Sequence, residues 1–105
     1  MNIGNWQIFT SRHIETVHNM TELLKILTPD QASFRLCAAS DILAVAVDAI
    51  AYLFDEARTE KENAAVRAML AELRSEQDAL ATLSDEFRGL RSNRTKTYGK
   101  RKIIV

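Results

Sequence analysis

From residue 30 to residue 88 the chain contains neither glycine nor proline. These are the two residues that most readily break a helix or set a tight turn. A stretch this long without them is constrained to helix, with its ends set by caps and by changes in polarity. The rest of the chain agrees: 105 residues hold only three Gly and one Pro, a composition of helical proteins. That length fits one domain, and an apolar share of 47% suffices for a small core.

The firmest boundary is "TPDQ". Thr28 as cap, Pro29 at the first helical position and Gln31 three residues after the cap make a capping box that starts a helix. Upstream, Ile14, Val17, Met20, Leu24 and Leu27 recur at helical spacing. They predict a first helix over about 10–27, with Thr10 as its cap and Phe9 and Ile14 as a hydrophobic staple. Residues 3–9, "IGNWQIF", read as extended, with Trp6 and Ile8 on one side.

Residues 42–54, "ILAVAVDAIAYLF", are too apolar all round for a surface helix. They are too short for a membrane span, and Arg35, Asp41 and Asp48 interrupt any extension. A central helix covered on most sides is expected, over about 29–57. Asp41, Asp48 and Asp55 fall seven apart, so they share one narrow polar strip. "DEARTEKE" is an exposed corner, with Thr59 and Glu62 as a second capping box. A third helix over about 60–91 carries a 3-4 repeat: Val66, Met69, Leu73, Glu76, Leu80, Leu83, Phe87 and Leu90. This is a coiled-coil seam that Glu76 alone breaks. Ala65, Ala68, Ala79 and Ala81 beside it permit close approach of a neighbouring helix.

The expected fold is therefore all-α. A short N-terminal helix packs on a long antiparallel, coiled-coil-like hairpin, with short extended segments at both ends. Residues 1–93 form the helical domain and 94–105 a basic arm. The alternative for 29–90 is one continuous helix of ~90 Å.

Candidate chemistry is sparse. His13 and His18 are five apart, off the metal spacing of i, i+4. His18 reads as an ordinary surface partner of Glu22, and His13 as a residue at the core edge. Cys37 shares the strip of Asp41 and Asp48, whose charge opposes a thiolate, so it reads as a small packing residue. No phosphate loop, serine elbow or zinc signature is present. The expectation is a non-enzyme with no cofactor and no metal. A lone cysteine forms no intrachain disulfide, and "MNIGNWQIFT" has no signal-peptide pattern; both point to the cytoplasm.

The formal net charge of zero conceals a division. All fourteen acids lie at or before Glu86, with seven bases; the other seven bases follow. The body thus carries about −7 and the tail about +7. Arg88 and Arg91 are accounted for by the C-terminal dipole of a helix. The remaining run, "RTKTYGKRKIIV", calls for a partner. The candidate binding residues are Arg91, Arg94, Lys96, Tyr98, Lys100, Arg101, Lys102, Ile103, Ile104 and Val105. Asp41, Asp48 and Asp55 form an acidic counterpart.

Phosphates reward clustered bases, and Tyr98 could stack on a nucleobase. An acidic protein surface, on this chain or on a second copy, explains the terminal aliphatics better, since these suit apolar contact or pairing with "WQIF" or a partner's sheet edge. In its general style this compact, motif-free helical chain is similar to small accessory and inhibitor proteins of phages and mobile elements, a likeness that places no residue. The sequence-level function is a non-catalytic, self-associating interaction module (adaptor, inhibitor or assembly subunit) with no membrane partner. The alternative is a nucleic-acid-binding accessory factor.

Overall fold

The computed structural model describes the backbone of residues 1–104 and the side chains of residues 1–88. Three helices pack together: α1 (Ile3–Thr21), α2 (Pro29–Tyr52) and α3 (Glu60–Ile104). Short 3₁₀ turns, Leu24–Ile26 and Leu53–Asp55, follow α1 and α2. No strand forms among the described residues.

α2 organises the core. Ala32, Leu36, Ala39, Leu43, Ala46 and Ile50 are buried, and Leu53 in the following turn joins them. Their 4-3-4-3-4-3 spacing is a heptad seam in its own right. The alanines let neighbouring helices approach, and the larger residues fill the space between. Against this seam α3 sets Val66, Met69, Leu70, Leu73 and Leu80, while α1 adds Val17, with Leu24 just beyond its end. Leu43, Ile50, Leu53, Leu73 and Val66 are fully enclosed. Each such side chain contributes about 1.5–3 kcal/mol through removal from water.

α2 is not covered on most sides, as its composition suggested. One face is packed, while Phe34, Val45 and Tyr52 lie open to solvent. The helix also stops at Tyr52 rather than near 57. The break at residues 53–59 separates α2 from α3, so 29–90 is not one continuous helix.

The first capping box forms, and the second forms only in half. Thr28 Oγ1 accepts from the Gln31 N–H at 3.3 Å, and Gln31 Oε1 accepts from the Thr28 N–H at 3.2 Å. At the corner Thr59 Oγ1 accepts from the Glu62 N–H at 3.1 Å, but Glu62 Oε1 takes its backbone donor from Arg58, at 3.2 Å. The carboxylate reaches one residue further back than in the usual motif.

The N-terminal segment is helical, not extended. Asn2 caps α1, its side chain accepting from the Asn5 N–H at 3.2 Å. Helical spacing then turns Ile3, Trp6, Phe9, Thr10, His13, Ile14 and Val17 toward the body. Trp6 and Phe9 meet edge to face with centroids 5.3 Å apart, a favoured aromatic geometry. Thr10 is therefore not a cap. It is buried within the helix, and its hydroxyl donates to the Trp6 carbonyl at 2.9 Å, so no polar group is orphaned. The staple of Phe9 and Ile14 disappears with that cap.

At the other end α3 remains helical to Ile104, which replaces the expected extended tail; Val105 lies outside the described residues. Forty-five residues at 1.5 Å each make a rod of ~67 Å. The longest dimension of the molecule is 68 Å, so α3 is straight and sets it. The radius of gyration is 18.5 Å, against ~13 Å for a compact chain of this size.

Replacing Leu73 with Ala should lower unfolding stability by about 2–5 kcal/mol, since the side chain is enclosed on all sides. Thr28→Ala, which removes one cap, should cost about 1 kcal/mol. Urea denaturation followed by circular dichroism measures both, and a smaller effect at Leu73 than at Thr28 would contradict the core assignment.

Candidate functional site

The outer side of α2 carries the acids singled out from sequence. Asp41 and Asp48 are exposed on it, and Asp55 is exposed in the 3₁₀ turn that follows. Cys37 is a free, exposed thiol rather than a packing residue. Val45 and Tyr52 stand between the acids, and Phe34 precedes them on the same side. The strip is therefore mixed, apolar and acidic together.

The bases of the arm belong to the same rod as the core of α3. Its helical backbone carries Arg91, Arg94, Lys96, Tyr98, Lys100, Arg101, Lys102, Ile103 and Ile104, whose side chains lie outside the described residues. Pairing of the terminal aliphatics with "WQIF" as strands does not occur, because that segment is part of α1. A straight helix also keeps the arm from folding back onto α2 of its own chain.

Glu76, the break in the α3 seam, meets His18 of α1. The Nε2–Oε2 distance is 2.7 Å. His18 thus pairs across helices rather than with Glu22. The acid meets α1 at the rim of the core, where a leucine would have continued the seam. His13 sits at the core edge as its spacing suggested, Nδ1 2.7 Å from the Phe9 carbonyl. Its ring lies 4.1 Å from that of Phe9. Among the described residues no three His, Cys, Asp or Glu side chains gather as a metal site. Of the alanines beside the seam, Ala65 is half-buried and Ala68, Ala79 and Ala81 are exposed.

Beyond the end of α1 the body opens. A hollow of about 500 Å³ is walled by Leu24, Leu27, Leu36, Leu83 and Phe87, with Cys37 and Arg88 also lining it. Residues from the start of α2 and from the middle of α3 face each other there.

At the opposite end the N-terminal ammonium of Met1 lies 3.6 Å from Glu62 Oε2. The backbone hydrogen bond from Arg58 holds the Glu62 carboxyl below the usual carboxylate range, with the Met1 ammonium and the Thr59 hydroxyl acting in the same sense.

Sequence reasoning judged residues 42–54 too short to span a membrane. The longer stretch Pro29–Asp55 is long enough by length and composition, since an 18-residue window within it reaches a mean hydropathy of 1.8. In the fold its inner face supplies the core, and its outer face carries Asp41 and Asp48. No protein-family model matches the chain, and no curated protein or solved structure does.

Two measurements test this geometry. A double-mutant cycle with His18→Ala and Glu76→Gln should give a coupling of about 1 kcal/mol or less, because the histidine side chain is 60% exposed. For Glu62, a depressed folded-state pKa contributes stability that is present above the unfolded value and lost as pH falls through the folded one. Glu62→Gln should accordingly flatten the acid limb of a stability-versus-pH curve and leave its alkaline limb in place.

Proposed function

We propose that the protein is a non-catalytic helical interaction module of the cytoplasm: an adaptor, inhibitor or assembly subunit that self-associates and docks through its basic C-terminal arm. One observation carries this reading. Fourteen acids and seven bases lie at or before Glu86, and seven bases with no acid follow. Net charge is therefore divided along a rod, acidic in the body and basic in the arm. Such a division steers encounter with an oppositely charged partner and sets its orientation.

In this reading α2 and α3 form an antiparallel, coiled-coil-like hairpin. Support comes from the buried positions of both heptad seams and from Leu83 and Phe87 bordering the same hollow as Leu36. The exposed Phe34, Val45 and Tyr52 support self-association, since large apolar side chains on one helix face favour a covering partner. In this reading the outer face of α2 meets protein rather than lipid: an Asp at the centre of a spanning helix costs about 2.5–3.5 kcal/mol on insertion scales, and Asp41 lies at the middle of α2.

The second reading, a nucleic-acid-binding accessory factor, is favoured by the acid-free basic run with Tyr98 inside it. Truncation after Asn93 separates folding from binding: the helical signal of the body should persist while partner capture or assembly is lost. Lys100, Arg101 and Lys102 changed to Glu should slow association and weaken its salt dependence, whereas Ile103 and Ile104 changed to Ser should speed dissociation. On nucleic acid the basic changes would remove nearly all affinity and the isoleucine changes almost none. Surface plasmon resonance at two salt concentrations distinguishes the patterns, and the second one would replace the interaction-module reading.

A further inference from the structure

The strip on the outer face of α2 is unused by the chain's own fold. Phe34, Asp41, Val45, Asp48 and Tyr52 succeed one another at steps of seven, four, three and four, which places them on one side of a helix. Phe34, Val45 and Tyr52 are 76%, 62% and 66% exposed. The opposite side of the same helix, from Ala32 to Ile50, is buried. Apolar side chains interleaved with carboxylates fit an elongated ligand that is both cationic and apolar.

This chain contains such a ligand in residues 89–104, which bear six bases, no acid, one tyrosine and a terminal pair of isoleucines. The dimensions correspond. Sixteen helical residues span ~24 Å, and the strip from Phe34 to Tyr52 spans ~27 Å. The arm of the same molecule cannot lie there, because α3 continues straight past the start of α2. A second molecule's arm can.

We propose that the outer strip of α2 receives the C-terminal arm of a second copy, and that the two copies clasp each other reciprocally. Asp41 and Asp48 take the bases of the incoming helix, and Phe34, Val45 and Tyr52 supply apolar contact. A two-fold arrangement uses both arms and both strips and leaves neither unpaired. The proposal rests on the reading of the arm as a protein-docking element and adds where, and on what, it docks.

The test is a charge exchange, read by light scattering and analytical ultracentrifugation at micromolar concentration. The wild-type chain of 11.9 kDa should run at twice that mass. Asp41→Lys with Asp48→Lys, and separately Lys100→Glu, Arg101→Glu and Lys102→Glu, should each weaken association by about tenfold or more. Mixing the two variants should restore the dimer, now as a heterodimer, because the reversed charges meet again. Phe34→Ser with Tyr52→Ser should weaken association similarly while leaving its salt response intact. Circular dichroism checks each variant for retained helicity.

Failure of the mixed pair to re-associate would overturn the proposal. So would loss of association in the arm variant but not in the strip variant, which places the arm on some other acidic surface and leaves the interaction-module reading standing. A wild-type monomer that binds only nucleic acid, or that floats with lipid vesicles, would overturn the proposal and that reading together.

Discussion

Everything in this fold depends on the inner face of α2 being covered from two sides. Ala32, Ala39 and Ala46 recur every seven residues, and Leu36, Leu43 and Ile50 recur between them. The small residues set how closely α1 and α3 approach, and the large ones determine which residues of those helices meet them. Val66, Met69, Leu73 and Leu80 face this surface from α3, with Val17 from α1. Without α2 the other two helices would lose the surface against which most of their apolar faces are buried. The 3-4 spacing of the buried residues on both α2 and α3 keeps the contact in line over several turns.

On α3 the buried Val66, Met69, Leu73 and Leu80 were legible because most large side chains around them are polar, whereas the buried Leu70 fell outside the 3-4 repeat. The α2 seam is equally regular but was obscured: Phe34, Ile42, Val45, Val47 and Tyr52 are apolar as well, and periodicity vanishes when both faces are hydrophobic. The error at the N-terminus has a similar origin. Within "IGNWQIF" the β-branched and aromatic residues favour a strand locally. Yet Ile3, Trp6, Thr10, His13 and Val17 already keep the 3-4 spacing of α1, and packing decides between the two. Asn2 was available as a cap three residues before Asn5, a signal weaker than the Thr28 box because the position that would return the bond holds Asn rather than Glu or Gln.

Of the candidate site, the acids were readable and their company was not. Seven-residue spacing sufficed to put Asp41, Asp48 and Asp55 on one strip. That Phe34, Val45 and Tyr52 share that side was hidden by the expectation that an apolar helix is wholly enclosed. The contact between His18 and Glu76 was unreadable for a different reason. The residues lie 58 positions apart, and only the way α1 lies along α3 brings them together. Local patterns report the faces of a helix well and report poorly which helix each face will meet.

Charge segregation acquires its meaning from the rod. Were the arm folded against the body, about +7 and −7 would neutralise within one molecule and leave little field outside it. A helix that carries residues 89–104 straight onward places its end ~24 Å past the body. At physiological ionic strength exposed charges are screened over ~8 Å, so the acidic body cannot neutralise most of that arm through solvent. Each molecule keeps one acidic end and one basic end. A head-to-tail arrangement of such molecules would satisfy both ends only by closing into a ring of several copies or by growing into a filament. Reciprocal pairing of two copies satisfies both at once and stops. In the proposed clasp the closed pair is the smallest arrangement that neutralises these ends, and a straight α3 is what would direct the arm to a second copy rather than to its own body.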